Sequence, residues 1–338
     1  MPAGEYCLDT SNAGDALQYG HPWLSAASAP WPPPPQVGGP LDDLLIVRPG
    51  GTGDIIFLGP LAREAKRLWP GVRVRMCVAP PFAPVAAMVP EFDELVEYPP
   101  TRQTLEAAGA VIWLENSVEF CPEADAIHII DAYAARAGFP VPEKRLHLVP
   151  GEGLRRQAAD EAAGWRGPRP RIAIQVQASS RLRTYPERLL NKAANTLHRQ
   201  GCTVIFFGTP GSNFVVEEKG VINGPGRGWP LGLSIALLEQ VDCVLAPDSG
   251  LFHAAIALGK PAVGLYGPFD PATRVSAHGR VSVVTGEAEC APCAWHSRIS
   301  LIWPPECHGW KHGECKALAA ISPAAAVEAV WKCVRGED

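Results

Sequence analysis

Short unbroken apolar runs alternate along this chain with stretches of helical spacing, and no other feature narrows its fold as far. Leu44-Leu45-Ile46-Val47-Arg48 is one such run, the pattern of a parallel strand buried on both faces. The turn Pro49-Gly50-Gly51-Thr52-Gly53-Asp54 follows it. Ile55, Ile56, Leu58, Leu61, Ala62, Ala65, Leu68 and Trp69 then recur at helical spacing until Pro70-Gly71. Residues 73–78, 95–98 and 111–114 read as further strands, and 124–137 as a helix closed by Gly138. Gly, Pro and Arg crowd 164–170, as in a linker, and the alternation then restarts. Strands are predicted at 171–176, 203–207, 243–246, 261–265 and 281–284. Helices are predicted at 186–200, 234–239, 249–258 and 322–334, the last with Ser322 as its cap and Pro323 in its first turn. Such alternation predicts an α/β architecture with parallel sheets, repeated in two successive units with a cleft between them. The expected organisation is a Pro-rich arm at 1–40, a first domain at 41–165 and a second at 166–338.

A length of 338 residues suits two domains, and 47% hydrophobic content suffices for two cores. Thirty Lys and Arg against 35 Asp and Glu give a net charge of −5, which offers no general attraction to nucleic acid or anionic lipid. Gly, Pro or charge breaks every apolar run well before the roughly 18 residues of a membrane span. The arm holds no Lys or Arg and carries Trp31-Pro32-Pro33-Pro34-Pro35, so it lacks the basic start and apolar stretch of a secretory signal. Its polyproline run should be extended and stiff, and Trp23 and Trp31 leave open a docking role on the body or on another subunit. Of ten cysteines, Cys7, Cys77, Cys121, Cys202, Cys243 and Cys333 are scattered and read as small buried hydrophobes, as expected in a reducing cytoplasm.

Two turns between strand and helix carry candidate chemistry. At Gly50-Gly51-Thr52-Gly53-Asp54 the glycines admit a ligand to the backbone, and the free amides of the helix start attract anions. The turn is neither the dinucleotide fingerprint nor a P-loop. Asp54 either faces substrate or only caps the helix. The second turn is Ala246-Pro247-Asp248-Ser249-Gly250-Leu251-Phe252-His253. There the amides of Ser249, Gly250 and Leu251 would meet a diphosphate above the strand end. His253 lies one turn further in, where it either donates to a phosphate oxygen or is an internally satisfied histidine.

Arg48-x-x-Gly51-x-Gly53-Asp54 after a strand, with a long helix ending at Trp69-Pro70, resembles the start of the family 9 glycosyltransferases, the heptosyltransferases. Asp248-Ser249-Gly250-x-x-His253-x-Ala255-x-Ala257-x-Gly259-Lys260-Pro261, followed by Leu265-Tyr266-Gly267-Pro268 and Asp270-Pro271, resembles the nucleotide-sugar motif of that family. The resemblance spans about residues 43–335. It implies a GT-B fold, two Rossmann-like domains facing a cleft, and an inverting transfer from ADP-heptose or a related nucleotide sugar without a catalytic metal. It implies Asp54 as the general base, with Gly51, Thr52 and Gly53 on the acceptor side. Asp248, Ser249, Gly250 and His253 would hold the donor. The family has a Lys in the loop after the first strand of the second domain. Here that loop reads Ser179-Ser180-Arg181-Leu182-Arg183-Thr184-Tyr185-Pro186, where Arg183 best fits the position and Arg181 is the second candidate. Arginine still neutralises phosphate but prefers a bidentate grip.

Cys290-Ala291-Pro292-Cys293 is followed by thirteen residues to Cys307 and seven more to Cys315. Four thiolates in one short segment, 286–316, suit a closed tetrahedral site for zinc or iron, with His296, His308 and His312 as spare ligands. With no open position, such a metal is structural. The segment resembles the iron-binding finger of the bacterial autotransporter heptosyltransferase branch. That resemblance implies iron, protein glycosylation on serine and a homo-oligomer. Competing expectations are a lipopolysaccharide-core heptosyltransferase with a glycolipid acceptor, a nucleotide-sugar epimerase or hydrolase, and a non-catalytic scaffold that retains the fold.

Overall fold

The computed structural model of the chain describes residues 39–118, 121, 123, 126–210, 219–275, 279–293 and 313–337. The chain divides into two units, Met1–Lys144 and Arg145–Asp338. Most of the Pro-rich arm lies outside the described residues, as do Cys307 and the three histidines of the cysteine-rich segment.

In the first unit, β1 (Asp43–Val47) lies between β2 (Arg73–Val78) and β4 (Ala110–Trp113), with β3 (Glu94–Glu97) outside β2. All pairings are parallel, Leu45 lying opposite both Arg75 and Val111. A strand flanked on both sides and covered on both faces needs apolar residues throughout, and Leu44, Leu45, Ile46 and Val47 are fully buried. Helix α1 (Thr52–Leu68) follows β1 through the glycine turn, and α2 (Ile129–Ala137) packs on α1. Ile129, Ile130, Tyr133, Ala134 and Ala137 of α2 are buried, a stripe at helical spacing. The predicted helix at 124–137 is shorter in the structure. His128 caps it, its Nδ1 accepting from the Ile130 amide at 3.2 Å.

The second unit holds six parallel strands in the order β10-β9-β8-β5-β6-β7. They are β5 (Arg171–Gln175), β6 (Thr203–Phe207), β7 (Val221–Asn223), β8 (Cys243–Pro247), β9 (Ala262–Tyr266) and β10 (Val281–Thr285). Among the described residues the helices of seven residues or more are α3 (Glu152–Ala163), α4 (Glu187–Arg199), α5 (Leu231–Leu237), α6 (Gly250–Ala257) and α7 (Pro323–Arg335). Ser322 caps α7 as the sequence predicts, accepting from the Ala325 amide at 3.1 Å. Tyr185 is buried before α4, and its hydroxyl donates to the Ile321 carbonyl at 2.8 Å. That bond ties the start of α4 to the segment leading into α7.

The division at Lys144 lies some twenty residues before the composition shift at 164–170. The physical reason is the packing of α3, which belongs to the second unit. Arg155 pairs with Glu239 at 3.1 Å, and the Leu148 amide donates to the Ala257 carbonyl at 3.1 Å. Helix α3 and strand β7 were not among the predicted elements. The mean hydropathy of α3 is negative and only Ala158 and Ala162 are buried, so it offers little apolar periodicity.

Candidate functional site

Two clusters form at carboxyl ends of strands, one in each unit. In the first, β1 delivers Arg48 and the glycine turn to the start of α1. Gly51 is the N-cap with φ of 89°, and no side chain caps the helix there. Asp54 lies in the first turn of the helix that Gly51 opens. Its Oδ1 accepts from the Tyr133 hydroxyl at 2.5 Å, and its Oδ2 lies 3.3 Å from Nη2 of Arg48. Arg48 is buried and donates through Nη1 to the Leu114 carbonyl at 2.9 Å. The Asp54 side chain keeps 21% of its surface accessible. The carboxylate is thus gripped from the protein side and reachable from solvent. Thr52 and Gly53 form the first turn of α1 beside it, both half-buried.

Gly51 is required here on two counts. A Cβ would stand 1.8 Å from Oδ2 of Asp54, and its positive φ is strained for any L side chain. Gly51→Ala is expected to displace Asp54, lowering turnover by at least tenfold while the chain still folds. Steady-state kinetics beside a thermal melt checks this; unchanged turnover would mean that the Asp54 geometry does not matter.

In the second unit, β8 ends at Pro247 and Ser249 caps α6, its Oγ accepting from the Phe252 amide at 3.4 Å. Gly250 is the first residue of α6 and half-buried. Asp248 is buried and sits at the centre of a polar network. His253 Nε2 lies 2.9 Å from its Oδ1, the Tyr266 hydroxyl donates to Oδ1 at 3.4 Å, and Arg183 Nη1 lies 3.3 Å from Oδ2. Burial by itself would raise the Asp248 carboxyl. The His253 hydrogen bond and the charges of Arg183, His253 and Arg274 outweigh it and hold that group well below the ordinary carboxylate range. Burial and the neighbouring Asp248 charge keep the Tyr266 phenol protonated far above its usual range.

Arg183 and Arg274 lie against the same Phe269 ring, at 6.0 and 5.0 Å from its centroid. Arg274 is buried; its Nη1 donates to the Thr273 carbonyl at 3.0 Å and its Nη2 has no hydrogen-bond partner among the described residues. Two guanidiniums against one carboxylate, beside the amides opening α6, leave an excess of positive charge, the electrostatics of an anion site.

The structure therefore joins Arg183, Asp248 and His253, with Ser249 and Gly250 adjoining. It leaves Arg181 exposed on the same short turn, where its carbonyl accepts from the Thr184 amide at 3.2 Å. The expected donation of His253 to a phosphate is not what its Nε2 makes, since Asp248 occupies that nitrogen. Tyr133, Tyr266, Phe269 and Arg274 were missed. Tyr133 belongs to an apolar helical stripe, and nothing in its spacing marks its hydroxyl. Arg274 stands three residues after Pro271, just beyond the motif.

Three cysteines of the predicted finger are described: Cys290 exposed, Cys293 half-buried, Cys315 buried. The Cys293 amide donates to the Pro268 carbonyl at 2.9 Å, and a Cβ on Gly267 would stand 3.2 Å from the Cys315 sulfur. Both residues thus border the Gly267–Pro268 turn. Among the described residues no three His, Cys, Asp or Glu side chains gather as a metal group, and the predicted metal finger is not shown.

The family model for glycosyltransferase family 9 (heptosyltransferase) matches residues 127–300, just over half of the chain. The chain belongs to glycosyltransferase family 9. It is accordingly a glycosyltransferase, and the non-catalytic scaffold reading is set aside. Solved structures agree on a GT-B-like α/β fold. A family 9 glycosyl transferase from Veillonella parvula matches with a TM-score of 0.67 and 19% identity, covering 89% of this chain and all of that one. The E. coli ADP-heptose lipopolysaccharide heptosyltransferase II matches with a TM-score of 0.64 and 18% identity, covering 87% and 99%. The iron-containing dodecameric glycosyltransferase TibC of enterotoxigenic E. coli matches with a TM-score of 0.62 and 15% identity, covering 88% and 78%; TibC has also been solved with ADP-D-β-D-heptose. Comparison with curated proteins found no match. Among the described residues of this family 9 chain, no helix is long and apolar enough to cross a membrane.

Proposed function

We propose that this family 9 protein transfers heptose from ADP-heptose to an acceptor hydroxyl, with inversion and without a catalytic metal. The observation that carries the donor reading is the excess of cationic side chains, Arg183 and Arg274 against Asp248, where the amides of α6 begin. The diphosphate would lie over the Ser249 and Gly250 amides with Arg183 beside it. His253 and Tyr266 would hold Asp248 in place. Asp54 would take the proton of the acceptor hydroxyl as its oxygen attacks the anomeric carbon. The bond from that carbon to the diphosphate oxygen breaks, and ADP leaves with the electron pair. Calorimetric titration tests the donor site. ADP should bind at least tenfold more tightly than adenosine, and Arg183→Ala should abolish the difference. Equal affinity for the two ligands would contradict the site.

A protein serine is the acceptor this reading favours, because the cysteine-rich segment resembles the autotransporter branch and the acidic chain offers no attraction to an anionic lipid face. The acceptor is checked by mass spectrometry of cellular proteins and glycolipids with and without the gene. Heptose lost from lipopolysaccharide alone would turn the reading to core synthesis.

Cys290, Cys293, Cys307 and Cys315 would hold one structural iron or zinc, cross-linking a segment whose sequence carries little helix or strand signal. The soft donor set fits such a metal, and Cys293 and Cys315 border one turn. A subunit contact in a homo-oligomer is its proposed service. The purified protein should carry about one metal per chain, released by acid as the thiolates protonate. Cys293→Ser should lower metal content and leave ADP binding intact. A metal content near zero, with all four thiols titratable, would remove the finger.

A further inference from the structure

We propose that Tyr133 is a positioning residue for Asp54: its hydroxyl, together with the Arg48 guanidinium, fixes the carboxylate in the orientation and charge state in which it accepts a proton. The inference rests on the reading of Asp54 as the general base. Tyr133 is fully buried in α2, and the other buried residues of that helix are apolar. A buried phenol must donate to something, and any main-chain carbonyl would satisfy it. Here the bond crosses 79 positions of sequence to Oδ1 of Asp54, at 2.5 Å.

The other oxygen, Oδ2, faces Arg48, whose guanidinium also lies 6.0 Å from the centre of the Tyr133 ring. Arg48 is itself fixed by its bond to the Leu114 carbonyl at the end of β4. Two elements therefore converge on one carboxylate, the end of β1 through Arg48 and the middle of α2 through Tyr133, and the end of β4 holds Arg48 in turn. Each oxygen is tied on its inner side, and 21% of the side chain stays accessible to an acceptor. A carboxylate that only ended a helix would need neither donor.

Hydrogen bonds to the ionised form of an acid favour that form, so removing one makes protonation easier. Tyr133→Phe keeps the ring and deletes the donor. Donor turnover, read as ADP release from ADP-heptose by the full-length protein, should fall at least tenfold with ADP affinity unchanged. The acidic limb of its pH–rate profile should move upward by about one unit. In an Asp54→Asn background the same substitution should change the rate less than twofold, because the bond it removes no longer serves a base. Placing 3-fluorotyrosine at position 133 is a second arm that leaves packing intact. A more acidic phenol donates more strongly, so the limb should move to lower pH.

A Tyr133→Phe protein with wild-type rate and limb overturns the inference and leaves Asp54 as base. So does a limb that does not respond to 3-fluorotyrosine, or a rate loss equally large in the Asp54→Asn background. An Asp54→Ala protein that releases ADP normally removes the general base, and this inference with it.

Discussion

Replacing Asp54 with Ala is expected to lower glycosyl transfer by about 10²–10⁴-fold, the usual contribution of a general base. The carboxylate is the accessible acid of its cluster, tied behind by Tyr133 and Arg48. ADP affinity should stay within about twofold, since the proposed diphosphate contacts lie in the other unit. Kinetics of transfer and calorimetry on one preparation separate the two effects. Near-normal turnover in a folded Asp54→Ala protein would remove this residue from the chemistry. Loss of ADP binding together with turnover would mean that the residue shapes the donor site instead. Asp54→Glu sharpens the comparison, because it keeps the charge and moves it by one methylene. Activity should remain low if the grip of Tyr133 sets the position.

The second large effect is on stability. Asp248 is the one carboxylate of a buried network that holds Arg183, Arg274 and His253. Asp248→Asn leaves the Arg183 guanidinium without its counter-charge, and breaking such a pair typically costs about 3–5 kcal/mol. The pH dependence has a definite sign. The folded-state value of Asp248 lies below its ordinary one, so its stabilisation is complete above about pH 4 and is lost as pH falls through the lowered value. The difference between wild type and variant in urea unfolding should therefore be fully present at neutral pH and narrow on acidification below about pH 4. A variant as stable as wild type at neutral pH, or a gap that widens in acid, would contradict the assigned network.

Every described strand except β7, and both strand-to-helix turns, were legible because their information is local. Fully buried parallel strands require continuous apolar runs, and Leu44–Val47 and Val204–Phe207 have them. Ser322 and Ser249 announce helix starts through side chains that satisfy nearby amides. What the sequence hid is what long-range packing decides. Helix α3 is polar on most of its surface and gains its place through Arg155 and Glu239, 84 residues apart. Its membership of the second unit could not be read from the Gly- and Pro-rich stretch beyond it. Asp54 was singled out by its turn, but its partners come from 6 and 79 residues away. The spacing of Tyr133 on α2 encodes burial and says nothing of where its hydroxyl points. His253 shows the reverse case. The motif marked it for phosphate, and the fold turns its Nε2 toward Asp248.

The central claim is that ADP-heptose is the donor and that its diphosphate rests at the start of α6. A structure of the full-length protein with ADP-heptose tests it most directly. The account predicts the diphosphate over the amides of Ser249 and Gly250, with the Arg183 guanidinium in contact with a phosphate oxygen. A diphosphate bound away from the Asp248–His253 turn, with Arg183 still directed only at Asp248, would contradict it.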